Sequence, residues 1–350
     1  MTFDFYRGKK IFVTGHTGFK GSWLCKILSM AGAEVTGYAL EASGEENLFT
    51  ILDIEKNINS IIGDIRDIDR LKTAFDAVSP EIVFHLAAQP IVRESYKNPA
   101  YTYETNVMGT VNILECIRSS DCVRSFLNVT TDKVYKNNEW EWGYRENDVL
   151  DGYDPYSNSK SCSELVTHSY KRSFLNNICA VSTARAGNVI GGGDFAADRI
   201  IPDCVRAAQS NQKILLRNPF SVRPYQHVLE PLSAYILIAE RQYSDFNFAD
   251  SYNVGPDDED CIETGKLADI FCEKWGGQSW YSEEQLNAPH EANFLKLDCS
   301  KIKNKLGWKP SIHIDKAVEM TVDWFKNYSD KKDIIAFTEQ QICDFMEIGR

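Results

Sequence analysis

Residues Gly15 to Gly21 read GHTGFKG, and they stand between a strand-like run and an amphipathic segment. The run Lys10 to Thr14 is β-branched and aromatic, whereas Phe19 to Ala31 carries apolar residues at helical spacing and is followed by Gly32. Glycines at these positions allow a tight turn and let a pyrophosphate approach the backbone at the helix N-terminus. A strand, a glycine loop and a helix in this order predict a dinucleotide-binding unit rather than a purely structural turn.

Strand-like and helix-like segments alternate through the first half of the chain. The further predicted strands are residues 34–40, 58–62, 81–87, 125–131 and 180–184, and the predicted helices are 67–78, 99–118 and 156–176. This order is typical of parallel βαβ units with right-handed crossovers, so we expect an α/β fold with a doubly wound parallel sheet of the Rossmann type. Ligands of such sheets bind beyond the carboxyl ends of the strands, where the glycine loop, Ala87–Gln89 and Thr131–Lys133 would meet.

The pattern becomes less regular after about residue 186, where glycine-rich and loop-like segments alternate with predicted helices at 200–209 and 231–242. We therefore expect two domains. Residues 1–186 would form the dinucleotide-binding domain, with returning segments near 225–255, and residues 187–350 would form mainly a smaller, irregular C-terminal lobe that binds the substrate.

The composition excludes several classes of protein. A formal net charge of −12 argues against binding to nucleic acid or to an anionic membrane surface. No segment has the layout of a signal peptide or the length of a membrane span, so we expect a cytoplasmic protein. The ten cysteines are scattered without a CxxC pair, and the six histidines lack zinc-binding spacing, which predicts reduced thiols and no metal.

The end of the second predicted strand bears on which dinucleotide is bound. In typical NAD enzymes this strand ends in an acid that holds the adenosine ribose. Here Gly37 to Glu41 read GYALE, so Glu41 comes one or two positions late, and no arginine stands nearby to hold a 2′-phosphate. The pattern favours NAD over NADP. Asp64 is either a contact to the adenine edge or a turn acid.

Two polar segments carry groups that can move protons. Thr130 to Lys133 read TTDK at a predicted strand end, and Tyr156 to Lys160 read YSNSK at a predicted helix start. Tyr156 and Lys160 share one helix face, and a neighbouring cation favours a phenolate. The alternative is an ordinary surface pair, but a strand-end hydroxyl, acid and amine in a chain with a glycine loop favour redox chemistry coupled to elimination.

Two later segments concentrate polar and cationic groups in an otherwise acidic chain. Arg185 to Asp194 read RAGNVIGGGD, and Arg217 to His227 contain two arginines and a tyrosine. Guanidinium groups suit phosphate, and an aromatic ring suits stacking on a base. The alternative is that these arginines form salt bridges between the loops and the sheet.

Taken together, these segments resemble the extended short-chain dehydrogenase/reductase family in its sugar-nucleotide branch. The matching motifs are the glycine loop, HLAAQ (85–89), TNV (105–107), TTDK (130–133) and YSNSK (156–160). The resemblance is closer still to the 4,6-dehydratases of this branch that act on CDP-glucose, and it covers nearly the whole chain. The segments concerned are 13–24, 139–148, 152–160, 185–194, 289–301 and 306–308.

Two positions stand out within this resemblance. Most hexose 4,6-dehydratases pair the catalytic aspartate with glutamate, whereas this chain has Asp132–Lys133, as the enzymes acting on CDP-glucose do. Tyr225 stands where tryptophan is expected, and either ring can stack on a base.

The resemblance implies a redox-neutral dehydration of CDP-glucose that uses NAD. Tyr156, held by Lys160 and hydrogen-bonded through Thr131, would take the C4 hydroxyl proton during oxidation. Lys133, as a neutral amine, would then remove the C5 proton, and Asp132, when protonated, would donate to the departing C6 hydroxyl.

The resemblance also implies further ligand contacts and an assembly. The expected NAD-binding residues are Gly15, Thr17, Gly18, Phe19, Gly21, Asp64, Ile65, Ala87, Ala88, Gln89, Asn106, Tyr156 and Lys160. The expected substrate contacts are Gln89, Arg93, Asn188, Arg199, Asn218, Arg223, His227 and His290. By analogy, helices 99–118 and 156–176 would form the interface of a homodimer or a dimer of dimers.

Three alternatives remain open at this point. A sugar-nucleotide 4-epimerase needs the Tyr/Lys pair but has no use for Asp132–Lys133. An inverting UDP-N-acetylglucosamine dehydratase also uses aspartate and lysine. A cofactor-sensing binding protein with an inactive site is the third alternative, although such proteins typically lose one residue of the YxxxK motif.

Overall fold

The computed structural model describes residues 3–283 and 294–348 of the chain. The strands are β1 (Lys10–Thr14), β2 (Glu34–Ala39), β3 (Asn59–Ile62), β4 (Ile82–His85), β5 (Ser125–Thr131), β6 (Ala180–Ala186), β7 (Val189–Ile190), β8 (Ile214–Leu216), β9 (Val222–Pro224), β10 (Gln226–His227), β11 (Ser251–Val254), β12 (Cys261–Glu263) and β13 (Trp280–Ser282). Within this part of the chain, seven of them form one sheet in the order β11-β6-β5-β4-β1-β2-β3. Every neighbouring pair in it is parallel, which confirms the predicted doubly wound sheet.

The helices connect and cover these strands. They are α1 (Phe19–Met30), α2 (Leu48–Ile51), α3 (Ile68–Val78), α4 (Val92–Lys97), α5 (Pro99–Tyr103), α6 (Gly109–Arg118), α7 (Pro155–Tyr170), α8 (Ile200–Gln209), α9 (Leu229–Ser244), α10 (Thr264–Trp275), α11 (Ser300–Leu306), α12 (Ile314–Ser329) and α13 (Ile334–Ile348). Two π-helical turns, Glu104–Met108 and Lys171–Leu175, interrupt what the sequence predicts as single helices. In the described residues, no helix has the length and apolar character needed to cross a membrane.

Alternating side chains of the strands bury two apolar layers, one on each face of the sheet. Ile11 and Val13 of β1 point into the larger cluster, which continues into the C-terminal helices. Phe12 points to the other face and packs in a smaller cluster with Phe75 of α3 and Ile113 of α6. Because both faces are covered, most residues of the strands are buried, as a parallel sheet requires, except in the edge strand β3.

The second half of the chain contributes to the sheet and also forms short strand pairs outside it. Strand β11 pairs with β6 at the edge of the sheet, and α9 packs on β5 and β6. The remaining strands of this half form short two-stranded pairs, β7 with β10, β8 with β13 and β9 with β12. The domain limits near residue 186 stay a prediction. All ten cysteines are free thiols, and six of them are buried.

Candidate active site

A cavity of about 970 Å³ opens at the carboxyl ends of β1, β4, β5 and β6. One wall is the glycine loop with the ends of β2 and β3, and the floor is Thr130 to Lys133 together with Tyr156. The opposite wall comes from the second half of the chain, including segments 186–203 and 215–225. The predicted meeting of the glycine loop and the strand-end polar residues is therefore confirmed.

The glycine loop packs its backbone tightly and has no side chains at its glycines to block a ligand. Gly15 has a φ of +77°, and a Cβ there would lie 2.7 Å from the backbone nitrogen of Ala87. A Cβ on Gly21 would lie 2.1 Å from the carbonyl oxygen of Gly15, so only glycine allows the helix to start so close to the loop. Gly18 caps α1 without any side-chain hydrogen bond, which leaves the first-turn N–H groups to face an anion. These features fit a pyrophosphate.

The far end of this wall carries Asp64 and Ile65, which follow β3 and line the cavity. The carboxylate of Asp64 forms an ion pair with Arg66, at 2.7 Å, and this hydrogen bonding lowers the pKa of Asp64. Thr17 donates a hydrogen bond to the carbonyl of Leu40, 2.9 Å away, and so ties the loop to the end of β2. Leu40, and not Glu41, belongs to the cavity wall.

The position of the catalytic tyrosine candidate is fixed by the start of α7. Asp154 caps this helix by accepting a hydrogen bond from the backbone N–H of Ser157 at 2.9 Å, and Pro155 takes the first helical position. Tyr156 therefore follows at the second position, facing the end of β5. The hydroxyl of Thr131 donates to Oδ1 of Asp132 at 2.9 Å and hydrogen-bonds to Tyr156.

Asp132 is buried in a short helical turn that directly follows β5. Its side chain is 1% exposed, and Oδ2 has no hydrogen-bond partner among the described residues. Burial raises the pKa of Asp132, and the charge of Lys133 opposes that shift. The site therefore favours a protonated acid at this position, which is what a proton donor requires.

Burial also dominates the ionisation of the Tyr/Lys pair. It raises the pKa of Tyr156 to about 12, although the hydrogen bond from Thr131 and the charge of Arg199 favour the phenolate. It lowers the pKa of Lys160 to about 7, an effect that the neighbouring charge of Lys20 increases. We expected a neighbouring cation to favour the phenolate of Tyr156, but desolvation has the larger effect on its pKa.

Arginines line the part of the cavity that faces the second half of the chain. Arg199 pairs with Asp194 at 2.9 Å. Arg93, which follows β4, and Arg217, which follows β8, both contact the carboxylate of Asp198, at 3.4 and 2.8 Å. These arginines therefore form ion pairs outside the strands of the sheet, and they also line the cavity. Asn188, Asn218 and Arg223 lie in the same wall.

Four predicted site residues have side chains outside the cavity wall. They are Gln89, Asn106, Lys160 and His227. Gln89 folds back to hydrogen-bond with Ile91 and Thr102, and Asn106 bonds to the backbone of Gln89 and to Ser159. Lys160 donates a hydrogen bond to the carbonyl oxygen of Val129 at 3.1 Å. These side chains brace the site. His290 lies outside the described residues.

His227 is the predicted substrate contact that the structure most clearly places away from the cavity. Its ring is fully buried and meets Trp23 edge to face, with 6.2 Å between ring centroids. Burial lowers its pKa to about 3, so the ring is neutral. The structure therefore does not bring it to the cavity as a cation for a phosphate.

The cavity wall also contains residues that the sequence motifs did not indicate. Lys20 follows Phe19 in the glycine loop, and burial, together with the charge of Arg199, lowers its pKa to about 8. A lysine inside a glycine loop is the signal that could have identified it. The segment Ser43 to Leu48 and the acid Asp198 also contribute, and no sequence motif marks them.

Comparison with known proteins gives consistent results. The family model described as GDP-mannose 4,6 dehydratase matches residues 12–321. The chain is 47% identical over 350 residues to CDP-glucose 4,6-dehydratase of Salmonella typhimurium, covering 98% of both chains.

Solved structures show the same fold at lower identity. A UDP-glucose 4-epimerase from Thermotoga maritima has a TM-score of 0.80 at 22% identity, covering 91% of this chain and 99% of that one. A dTDP-glucose 4,6-dehydratase from Streptomyces venezuelae, solved with NAD bound, has a TM-score of 0.79 at 24% identity, covering 93% and 99%.

Proposed function

Because this chain belongs to the GDP-mannose 4,6-dehydratase family, we propose that it is an NAD-dependent lyase acting on CDP-glucose. The products are CDP-4-dehydro-6-deoxyglucose and water. The observation that carries the proposal is the joining of Asp132, Lys133 and Tyr156 in one cavity with the glycine loop. The relative that is 47% identical over 98% of both chains supports CDP-glucose as the substrate.

The glycine loop and the first turn of α1 would hold the pyrophosphate of NAD. NAD bound there would supply reversible hydride acceptance, for the oxidation at C4 and the later reduction at C6. Gly15, Gly18 and Gly21 keep the backbone open for this cofactor, and Asp64 and Ile65 border the adenosine end. Gln89 and Asn106 brace the loop after β4 instead of touching the ligand with their side chains.

Tyr156 removes the proton from the C4 hydroxyl in the oxidation step. Burial raises the pKa of Tyr156 to about 12, so positive charge beside the ring is needed to favour the phenolate. Thr131 stabilises the phenolate by a hydrogen bond, and Lys160 supplies an ammonium group one helical turn further along α7.

Lys133 and Asp132 carry out the elimination. The C4 ketone acidifies the neighbouring C5–H bond, and the side chain of Lys133 accepts that proton. Asp132 donates a proton to the C6 hydroxyl, which leaves as water. Burial raises the pKa of Asp132, which favours the protonated acid that this step requires. The reaction as a whole is redox-neutral, so it consumes no external oxidant or reductant.

The arginines of the opposite wall bind the CDP group. Arg223 and Arg199 are suited to the pyrophosphate, with Asn188 and Asn218 as neutral donors nearby. Arg93 lies past β4, on the hexose side of the cavity. A 4-epimerase is not favoured, since it has no use for the buried acid–amine pair at the floor.

We also infer a cytoplasmic enzyme that forms a homodimer. Apolar side chains are exposed on the helices around residues 92–118 and on α7, among them Tyr96, Met108 and Leu165. Packing of these helices against those of a second copy would cover these groups.

Product analysis tests the proposed reaction. The protein is incubated with NAD and, in separate reactions, with CDP-, dTDP-, GDP- and UDP-glucose. Mass spectrometry should show the loss of one water from CDP-glucose, with no net accumulation of NADH. No change of mass with any of the four would reject the proposal.

A further inference from the structure

Helix α7 carries three ionisable residues at successive turns: Tyr156, Lys160 and Glu164. Residues spaced by four lie on the same helix face, so they form a row that runs from the cavity into the interior. Glu164 at the inner end of the row is fully buried. No step of the proposed reaction uses it.

The carboxylate of Glu164 is held by three donors. Oε1 accepts a hydrogen bond from Thr130 at 2.5 Å, and Oε2 accepts from Thr183 at 2.7 Å and from Arg185 at 2.9 Å. Burial raises the pKa of Glu164, but the ion pair with Arg185 and these hydrogen bonds outweigh it, and the pKa lies below its usual value. Glu164 is therefore a stable anion inside the protein.

The charges that face Lys160 come from three elements. The charge of Lys20 in α1 lowers the pKa of Lys160. His85 of β4 is neutral, because burial and the charge of Lys160 lower the pKa of that histidine to about 3. Glu164 is the described group that favours the ammonium form. The amine also donates a hydrogen bond to the carbonyl of Val129 at 3.1 Å.

Two groups besides the hydroxyls face Glu164 itself. Arg185 of β6 is fully buried and also donates to the hydroxyl of Tyr135 at 2.7 Å. His168, one turn further along α7, lies 3.5 Å away, and burial lowers the pKa of this histidine. The row is thus a buried array of alternating charge that ends at the cavity.

We propose that Glu164 is a positioning residue for the oxidation step: its carboxylate, one turn along the same face of α7, is the buried anion that strengthens proton binding at Lys160 beside Tyr156. Through Thr130 it also fixes the strand position that precedes Thr131. The inference rests on the proposed function, because the roles of Tyr156 and Lys160 are assigned there.

The variant Glu164→Gln keeps the size of the side chain and removes its charge. Lys160 then loses its anion, and Arg185 becomes an uncompensated cation, so both changes weaken proton binding at Lys160. We expect the basic limb of the pH profile for C4 oxidation, followed as NADH formed in a single turnover, to move to lower pH by about one unit. A merely structural role would reduce the rate without moving this limb.

A second readout needs neither substrate nor cofactor. Competitive acetylation of the protein over a range of pH, read by mass spectrometry of the peptide containing Lys160, gives the proton affinity of that amine. In Glu164→Gln the amine should become reactive at lower pH than in the unsubstituted protein. In Thr183→Val, which removes one hydrogen bond to the carboxylate and keeps its charge, the acetylation profile should stay in place.

The double variant Glu164→Gln/Arg185→Met serves if the single variant does not fold, because replacing a whole buried ion pair is tolerated better than breaking it. It should shift Lys160 in the same direction, by less. An acetylation profile unchanged from that of the unsubstituted protein, in either variant, overturns the proposal. If the unsubstituted protein fails to dehydrate CDP-glucose while the Lys160 profile still shifts, the proposed function fails and the role of Glu164 as counter-charge stands.

Discussion

The hydroxyl of Thr131 donates a hydrogen bond to the carboxylate of Asp132, with 2.9 Å between Oγ1 and Oδ1, and the same hydroxyl meets Tyr156. A hydroxyl has one proton, so it donates to one of these groups at a time. When Asp132 is protonated it can donate to Thr131, which frees the threonine proton for a Tyr156 phenolate. The proposed acid for the elimination and the proposed base for the oxidation are therefore linked through one side chain.

This link predicts the effect of Thr131→Val. The phenolate of Tyr156 loses a hydrogen bond, so C4 oxidation should slow by about 10-fold or more, since a bond to a charged group contributes roughly 1.5–3 kcal/mol. Single-turnover NADH formation measures this step. Thr73→Val, on the exposed side of α3, is the matched control and should leave the rate unchanged. Equal rates in the two variants would separate Thr131 from the oxidation.

Lys133→Met should separate the two halves of the reaction. The variant keeps Tyr156 and Lys160, so C4 oxidation continues, but no amine remains to accept the C5 proton. Dehydration should fall by about 10²–10⁴-fold, and NADH should accumulate on the enzyme. Absorbance of the reduced cofactor and product analysis measure both events. Lys136→Met, an exposed lysine in the next turn of chain, should behave as the unsubstituted protein. Full dehydration by Lys133→Met would exclude its assigned role.

Arg223→Met tests the CDP contact. Arg223 is largely buried and lines the cavity, where its charge suits the pyrophosphate. We expect KM for CDP-glucose to rise by about 10–100-fold, the effect of losing one or two charge-assisted hydrogen bonds. The value of kcat should change less. Steady-state kinetics beside the exposed control Arg172→Met measure this, and an unchanged KM would remove Arg223 from the binding site.

Glu230 predicts a pH dependence of stability. Burial raises its pKa to about 7, while Oε1 accepts hydrogen bonds from the backbone N–H groups of Ser311 and Ile312 at 2.7 and 2.9 Å. The folded chain thus binds this proton more tightly than the unfolded chain, so stability is highest below the unfolded pKa and is lost as pH rises towards about 7.

Glu230→Gln keeps the carbonyl acceptor and cannot ionise. Between pH 5 and 8 the free energy of unfolding of the unsubstituted protein should therefore fall by about 2–3 kcal/mol relative to this variant. Urea unfolding at several pH values measures the difference, and the exposed Glu263→Gln is the control. Parallel pH curves for the unsubstituted protein and Glu230→Gln would contradict the assignment.

Leu165→Glu tests the inferred dimer. Leu165 on α7 is 53% exposed, and a carboxylate there would be buried without a partner in a helix-to-helix interface. Light scattering should report dimers for the unsubstituted protein and monomers for the variant. Val149→Glu, also exposed but outside these helices, should stay dimeric. A monomeric unsubstituted protein would refute the inferred dimer.

The first half of the fold could be predicted because local patterns and the global sheet agree there. Lys10–Thr14 and Ser125–Thr131 are strands with the predicted limits, since β-branched and aromatic runs end at a glycine loop and at a polar turn. The helix predicted at 99–118 was less accurate. It contains the π-helical turn Glu104–Met108, where Asn106 bonds to the backbone of Gln89, a long-range contact that no local periodicity reveals.

The candidate site divides in the same way. Asp132, Lys133 and Tyr156 lie where the strand-end and helix-start motifs predict, because the sheet topology brings those ends together. Gln89 and His227 were expected to contact the substrate, but tertiary packing turns both side chains inward. Asp198, which contacts Arg93 and Arg217, joins segments more than a hundred residues apart and could not be paired with them from sequence.

The most direct test of the proposed mechanism follows a label through the reaction. CDP-glucose carrying deuterium at C4 is incubated with the protein and unlabelled NAD, and the product is examined by NMR and mass spectrometry. The proposed mechanism predicts a 4-dehydro sugar that has lost one water and carries the deuterium at C6. Deuterium released into free NADH, or a sugar that keeps its water and its label at C4, would contradict it.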